Sequence, residues 1–399
     1  MPRPTLKASL VDFGYGYSPA PAQYHPLQPA RIFDTRTGLG GATGKLGQAS
    51  AVDVQVTGVG GVPSSATVQA AVLNITAVNG TAGSFLSVYP TLAPRPTAST
   101  HNWRPGETAP NLVEVLLGSG GKVSIYNQAG SVDVIVDVEG YWATQSSPTL
   151  DGLYTPLVPA RVLDTRIGQG APQAQVGAGQ SIDVQITGQG LVPSSGVEAV
   201  ALNLTAVNPT AGSFVTAYPT GATRPGSSNV NFAAGMTRPN RVIVKVGTGG
   251  KITLYNQAGS VDLIVDINGW FTDGSASTQH GSVFVGESPR RLVDTRSGAP
   301  LGPNTTLNPL VSGQAGVPTS NVQAVILNVT AVSPTAISFL TIWPSDAAQP
   351  FASDLNFIPG QTVPNMVIVK MGSDGTIKIF NKAGLTHVVV DVMGWQLGP

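Results

Sequence analysis

Apolar and polar residues alternate in short runs along this chain, and Gly, Pro and Asn separate the runs. In SVDVIVDVEG, Val132, Val134, Val136 and Val138 fall on one side of an extended strand, whereas Asp133, Ile135 and Asp137 fall on the other. AVDVQVTG alternates similarly, and LNITAV is apolar on both sides, as a strand covered on both faces would be. GKVSIYNQAGSVDVIV reads as a hairpin that turns at Asn127–Gly130. No window carries a helical period of useful length, so the pattern predicts an all-β protein.

The pattern also repeats. PARIFDTR at 29–36, PARVLDTR at 159–166 and PRRLVDTR at 289–296 align without gaps, with Asp34, Asp164 and Asp294 spaced 130 residues apart. Each opening is followed by an LNITAV-like segment, then SFLSVYP, SFVTAYP or SFLTIWP, then a segment such as IYNQAGSVDVIVDVEGYW. A period of this size, found before any local assignment, predicts three tandem β-sandwich domains of about 125–130 residues with about eight strands each, Ig-like or jelly-roll in topology. The expected boundaries are an arm at 1–23, repeats at 24–142, 154–271 and 284–399, and Ser/Thr/Gly-rich linkers at 143–153 and 272–283. Repeat three departs at Pro309, which stands where the other copies carry a VDVQV-type strand, so an edge strand or a lost one is expected there.

Composition narrows the function. The 21 basic and 21 acidic residues cancel, which removes the electrostatic footprint of a nucleic-acid or anionic-membrane binder. Cys is absent, so neither disulfides nor thiolate metal sites arise. The stretch MPRPTLKASLVDFGYGYSPAPAQY has no continuous apolar core of signal-peptide type, and no later run approaches a membrane span, so neither a Sec leader nor membrane insertion is expected. His25, His101, His280 and His387 do not recur and show no ligand spacing. No metal or cofactor is implied.

The PxRxxDTR opening, the LN(V/I/L)TAV segment and the VIVDVxGWF-like ending together resemble a repeat of exported actinobacterial proteins, and the resemblance covers all three copies. It implies a β-rich, surface-exposed accessory module without catalytic residues of its own. The chain differs from that group in lacking a recognisable signal peptide.

Four charged positions recur in every copy: Arg31, Asp34, Arg36 and Asp137; Arg161, Asp164, Arg166 and Asp266; Arg291, Asp294, Arg296 and Asp391. They hold 12 of only 42 charged residues, so they mark something each repeat needs. One reading is a carboxylate pair for glycoside chemistry. The favoured one is a structural cluster, in which each inner Asp is part-buried and paired with an Arg of its own PxRxxDTR segment. Arginine neighbours are expected to hold the carboxylates low, the wrong direction for a general acid. Asp-Thr-Arg departs from the Asp-Thr-Gly of aspartic proteases at the Gly that motif needs.

Asn74, Asn203 and Asn328 each satisfy the N-glycosylation pattern but lie inside apolar strands, where a hydrogen bond across the domain is favoured over a glycan. Tyr89, Tyr218 and Trp343 recur before a Pro; packing at the end of a strand is the favoured reading for them, and the lesser one makes them candidate glycan contacts, which would need them exposed at equivalent places. Tyr141-Trp142, Trp270-Phe271 and Trp395 close each repeat and are expected to pack. Leu10, Val11, Phe13, Tyr15 and Tyr17 give the arm the apolar area to dock on a partner.

These features predict a non-enzymatic structural component on the surface of a virion or phage-like particle, as a tail, fibre or capsid-decoration protein. Its expected partners are other particle proteins, reached through the arm, with host-surface glycan as a second contact and self-association left open. The alternative is a glycan-binding or adhesive module of a bacterial cell surface or extracellular space.

Overall fold

The computed structural model describes residues 20–145, 149–275 and 281–399. These residues form strands, turns and three short 3-10 turns, with no α-helix among them. Repeat one holds β1 Gln23–Asp34, β2 Ser50–Gln55, β3 Val68–Val78, β4 Ser84–Pro90, β5 His101–Trp103, β6 Ala109–Leu116, β7 Lys122–Asn127 and β8 Asp133–Ala143. Repeat two holds β9 Asp151–Asp164, β10 Ser181–Gln185, β11 Val197–Val207, β12 Ser213–Pro219, β13 Val230–Phe232, β14 Arg238–Lys245, β15 Lys251–Asn256 and β16 Asp262–Asp273. Repeat three holds β17 Val283–Asp294, β18 Thr305–Leu307, β19 Val322–Val332, β20 Ser338–Pro344, β21 Leu355–Phe357, β22 Thr362–Lys370, β23 Ile377–Asn381 and β24 His387–Leu397.

Each repeat folds into two four-stranded antiparallel sheets. In repeat one their orders are β1-β8-β3-β6 and β2-β7-β4-β5, and the other copies repeat both orders. Successive strands therefore cross between sheets, and the only consecutive strands that pair are β4 with β5 and their equivalents. This corrects the hairpin expected across Asn127–Gly130, because β7 and β8 belong to different sheets. The connection is held by Asn127, whose Nδ2 donates to the carbonyls of Leu46, Gly47 and Gly130 while its Oδ1 accepts from Ser84 Oγ. Asn256 and Asn381 repeat the arrangement.

The alternation read in the sequence has a physical origin in these sheets. In repeat two, Val184, Val215 and Leu254 from one sheet pack with Val200, Leu202, Leu204, Val242 and Val265 from the other to form one buried core. The opposite side of β11 carries Ala199, Ala201, Asn203 and Thr205, and these are also buried. They meet the other repeats, which explains why the LNITAV segments are apolar on both sides. Before Pro309, β18 keeps only three residues against six in β2 and five in β10, and all three strands lie at a sheet edge, where a proline without an N–H to donate is tolerated.

The three copies close into a ring. Repeat one meets repeat two through β1 and β14, repeat two meets three through β9 and β22, and repeat three meets one through β17 and β6. The first and last repeats are joined directly, since Ala22 and Phe284 exchange backbone hydrogen bonds of 2.9 and 2.8 Å. Tyr154 and Ser282 exchange an equivalent pair of 2.9 and 2.8 Å. The strands β9 and β16 extend to Asp151 and Asp273, into the spans expected as linkers 143–153 and 272–283, because these backbone groups find partners there. The apolar centre is shared: Tyr24, Trp142, Tyr154, Phe271 and Phe284 form a fully buried aromatic cluster contributed by all three repeats. Gly140 and Gly269 leave room for it, as a Cβ at Gly140 would lie 2.3 Å from Tyr24 Oη and one at Gly269 2.2 Å from Tyr154 Oη.

Six buried asparagines lock the seams. Asn74 Nδ2 donates to Ser228 O of repeat two, Asn203 Nδ2 to Ser353 O of repeat three, and Asn328 Nδ2 to Ser99 O of repeat one. The oxygens of the same three side chains accept in turn from Asn240, Asn365 and Asn111. Asn240 Oδ1 accepts from the Leu112 backbone N–H, Asn365 Oδ1 from Arg241, and Asn111 Oδ1 from Met366. Every link runs from one repeat to another.

Replacing Asn240 with Ala should strand the buried Leu112 N–H and Asn74 Oδ1, lowering stability by about 2–4 kcal/mol. The urea midpoint checks this, and a midpoint equal to that of the unmodified protein would show that the seam contributes nothing.

Candidate functional site

The recurring charges converge at the start of each repeat. β1 pairs with β8 so that Arg31 stands opposite Asp137, and Arg31 Nε and Nη2 reach Asp137 Oδ1 and Oδ2 at 2.9 and 3.2 Å. Arg31 Nη1 also reaches Asp34 Oδ2 at 3.4 Å, and Asp34 is clamped by Arg36 Nε and Nη2 at 2.9 and 2.7 Å. Repeat two reproduces the chain Asp266–Arg161–Asp164–Arg166, with Arg161 on Asp266 at 2.8 and 3.0 Å. Repeat three has a looser copy: Arg291 meets Asp391 at 2.6 Å and Asp294 at 2.5 Å, Arg296 clamps Asp294, and Asp294 is 27% exposed against 2% for Asp34.

The carboxylates divide electrostatically. Hydrogen bonds from Arg36, Arg166 and Arg296 hold Asp34, Asp164 and Asp294 below the usual aspartate range. Burial instead raises Asp137, Asp266 and Asp391, overriding the arginines that pull the other way. This corrects the expectation that arginine neighbours keep all of them low. Asn74 lies directly opposite Asp137 in the β3–β8 pair, so the inner aspartate shares the sheet face that meets the next repeat. That face is where the desolvation arises. Both oxygens of Asp137 and both of Asp34 are held by guanidinium groups, an arrangement suited to neutralising buried charge.

The threonine of each DTR has a role that sequence reasoning missed. Thr35 Oγ1 donates to Asp133 and accepts from the Val134 N–H, and Thr165 does the same with Asp262 and Leu263. His387, which does not recur, stands in repeat three where the others have Asp133 and Asp262, and contacts Thr295.

The glycosylation patterns are closed to glycans here, as Asn74, Asn203 and Asn328 are buried in the seams. Their partners carry a recurring signal that could have been noticed, Pro110-Asn111, Pro239-Asn240 and Pro364-Asn365. Tyr218 and Trp343 follow the favoured packing reading, and the lesser glycan-rim reading, which needed all three rings exposed, does not hold for them. Tyr218 is 9% and Trp343 4% exposed, because the segment after each proline folds back over the sheet; Trp343 Nε1 donates to Ala347 O, and only Tyr89 is half-buried. Leu10, Val11, Phe13, Tyr15 and Tyr17 lie outside the described residues, as does His280.

The ring centre departs from threefold equivalence through charged residues that the periodicity concealed. Arg241 is fully buried where the other repeats have Leu112 and Met366; it donates to Met366 O at 3.2 Å, to Asn268 Oδ1, and to Asp354 Oδ1 at 3.0 Å. Burial raises Asp354 to about 6 and lowers Arg241, each opposed by the other's charge. Arg238 pairs with Glu107 of repeat one at 2.7 Å, and Asn229 Nδ2 donates to Glu139 Oε1 at 2.6 Å. Glu114, buried beside the Trp142 indole, is raised to about 8 by desolvation, against the pull of Trp142 and Arg241.

No protein-family model matches the sequence, and no curated protein matches it. Among solved structures, one described as "The Triple Jelly Roll Fold and Turret Assembly in an Archaeal Virus" aligns with 94% of this chain and 91% of its own. Its identity is 12% and its TM-score 0.17, a likeness too low to support an argument about fold or role.

Asp266→Ala should leave the part-buried Arg161 with Asp164 alone and cost on the order of 3–5 kcal/mol, read as a lower urea midpoint. Unchanged unfolding would mean that the pair is effectively solvated.

Glu114 gives a pH signature. Between its ordinary pKa of 4.5 and the native value of about 8, the folded state keeps a proton that the unfolded chain releases. Its contribution is therefore full below pH 4.5 and is lost as pH rises through 8, on the order of 4 to 5 kcal/mol in all. Unfolding midpoints of the unmodified protein and Glu114→Gln, measured at pH 5 and pH 8.5, should diverge in favour of the variant at the higher pH. Parallel shifts would place the Glu114 carboxyl in contact with water.

Proposed function

We propose that the chain is a non-enzymatic structural component displayed on the surface of a virion or phage-like particle. The reading takes each repeat as a two-sheet jelly roll, since strand orders 1-8-3-6 and 2-7-4-5 send successive strands to opposite sheets, unlike the hairpin-rich Ig-like alternative. The observation that carries it is the closed ring, in which one chain makes a three-lobed body whose seams are hydrogen-bonded asparagines. Such a body suits a rigid projection that must keep its shape outside a cell.

Ala22 is tied to Phe284 at the ring centre, so the described part of the chain begins next to the middle of the body. That is where an anchor would bear load evenly on the three lobes. The arm is read as the docking segment, with Leu10, Val11, Phe13, Tyr15 and Tyr17 as its apolar contacts. A glycan-binding module of a bacterial surface is the second reading, favoured by an open groove between repeats one and three.

A variant lacking residues 1–19 should keep the melting behaviour of the full chain, because Ala22 and everything paired with it remain. It should fail to co-sediment with the particle to which the full chain belongs. Incorporation at normal occupancy would refute the arm's role and move preference to the free-standing glycan-binding module.

A further inference from the structure

The groove between repeats one and three has a volume of about 270 Å³, and residues of both repeats line it. This is just below the ~300–1,000 Å³ of sites for drug-sized ligands, the scale of a single sugar ring. On the repeat-one side, Phe85 of β4 and Asn102 of β5 stand directly opposite each other and are half-buried. Arg104 follows β5, is exposed, and spans the seam by donating from Nη2 to Pro359 O at 3.0 Å. The repeat-three side contributes Gly360 and Thr362.

One departure from the repeat distinguishes this seam, beside a glycine that repeat two shares. Gly83 lines the groove; repeat two has Gly212 and repeat three Ile337 at the equivalent position. Repeats two and three have Ala233 and Ile358 where repeat one has Arg104. Only this seam joins a glycine floor to an arginine. Glu107, the acid three residues after Arg104, is engaged by Arg238 through Oε1 and by the Arg104 backbone N–H through Oε2. The Arg104 guanidinium is left to act on what enters.

We infer that this groove binds one terminal pyranose carrying a carboxylate. The Phe85 ring offers a face to the sugar's C–H surface, Asn102 Nδ2 and the Thr362 hydroxyl can meet ring hydroxyls, and the Arg104 fork meets the carboxylate. The Asn102 Oδ1 accepts from Ser99 Oγ at 3.0 Å, a bond that Asn231 and Asn356 repeat, and this leaves its amide nitrogen as the group offered to a ligand. The inference stands apart from the arm and the particle: its failure would leave the docking reading intact, and the arm's failure would leave this site in place.

The test is saturation-transfer NMR on the full chain with the methyl glycosides of glucuronic, galacturonic and sialic acid, and methyl glucoside as the neutral control. At least one acidic glycoside should bind, with the neutral sugar at least tenfold weaker. Arg104→Ala should remove that difference. Gly83→Ile copies the residue of repeat three at a site where a new Cβ meets nothing closer than 3.7 Å, so it should block the groove without changing the melting temperature. Absence of saturation for all three acidic sugars, equal binding of the neutral one, or binding that survives Gly83→Ile would overturn the proposal.

Discussion

A buried amide must find partners for its oxygen and its nitrogen, and this requirement organises the molecule. Asn74, Asn203 and Asn328 sit on the outer side of a central strand, where a lone repeat would leave them facing water. Once the repeats meet, the oxygen and nitrogen of each find partners on the next one, and Asn111, Asn240 and Asn365 complete the circuit. An apolar seam would hold the lobes together but would tolerate sliding. Directional bonds fix one register, because a shift of one residue along any strand would orphan several groups at once.

The same seam accounts for the uneven use of charge. Each inner aspartate lies on the face the neighbour covers, so it needs its own arginine, and the arginine in turn is steadied by the outer Asp–Arg clamp. At the centre, Arg241, Asp354, Glu107 and Arg238 appear once each and distinguish one seam from another. Buried charges of this kind are seldom a source of stability compared with apolar packing. Their effect is to make the three junctions chemically different, so that repeats of near-identical pattern have a preferred neighbour.

The period, the all-β class, the strand count and the weakness near Pro309 were legible because each follows from side-chain alternation or from an N–H that proline lacks. The pairing of Arg31, Arg161 and Arg291 with the inner aspartates could be anticipated from recurrence and scarcity of charge. Strand order could not, since alternation says which side is buried and not which sheet follows; hence the mistaken hairpin at Asn127–Gly130. The seam was half-visible: Asn74, Asn203 and Asn328 stood out as polar residues in apolar strands, but their partners come from segments whose distance along the chain gives no hint of contact. Arg241 was invisible to a search for what repeats, being the exception at its position. Tyr89, Tyr218 and Trp343 left two readings open because a ring ending a strand looks the same in sequence whether it ends up packed or half-exposed.

The backbone bridge between Ala22 and Phe284 ties the beginning of repeat one to the beginning of repeat three. During synthesis the first repeat can pair its own strands early, but its edge at Ala22 and its asparagines at the third seam must wait until the third repeat leaves the ribosome. Closure is thus the contact of greatest sequence separation, with the largest loop entropy to overcome and the slowest expected formation. Until then the open ring presents two unfinished edges of matching shape, and at high local concentration the edge of one nascent chain could be met by that of another. The order of events in the cell, more than the final stability, would then decide whether the product is a single three-lobed molecule or an interlinked pair.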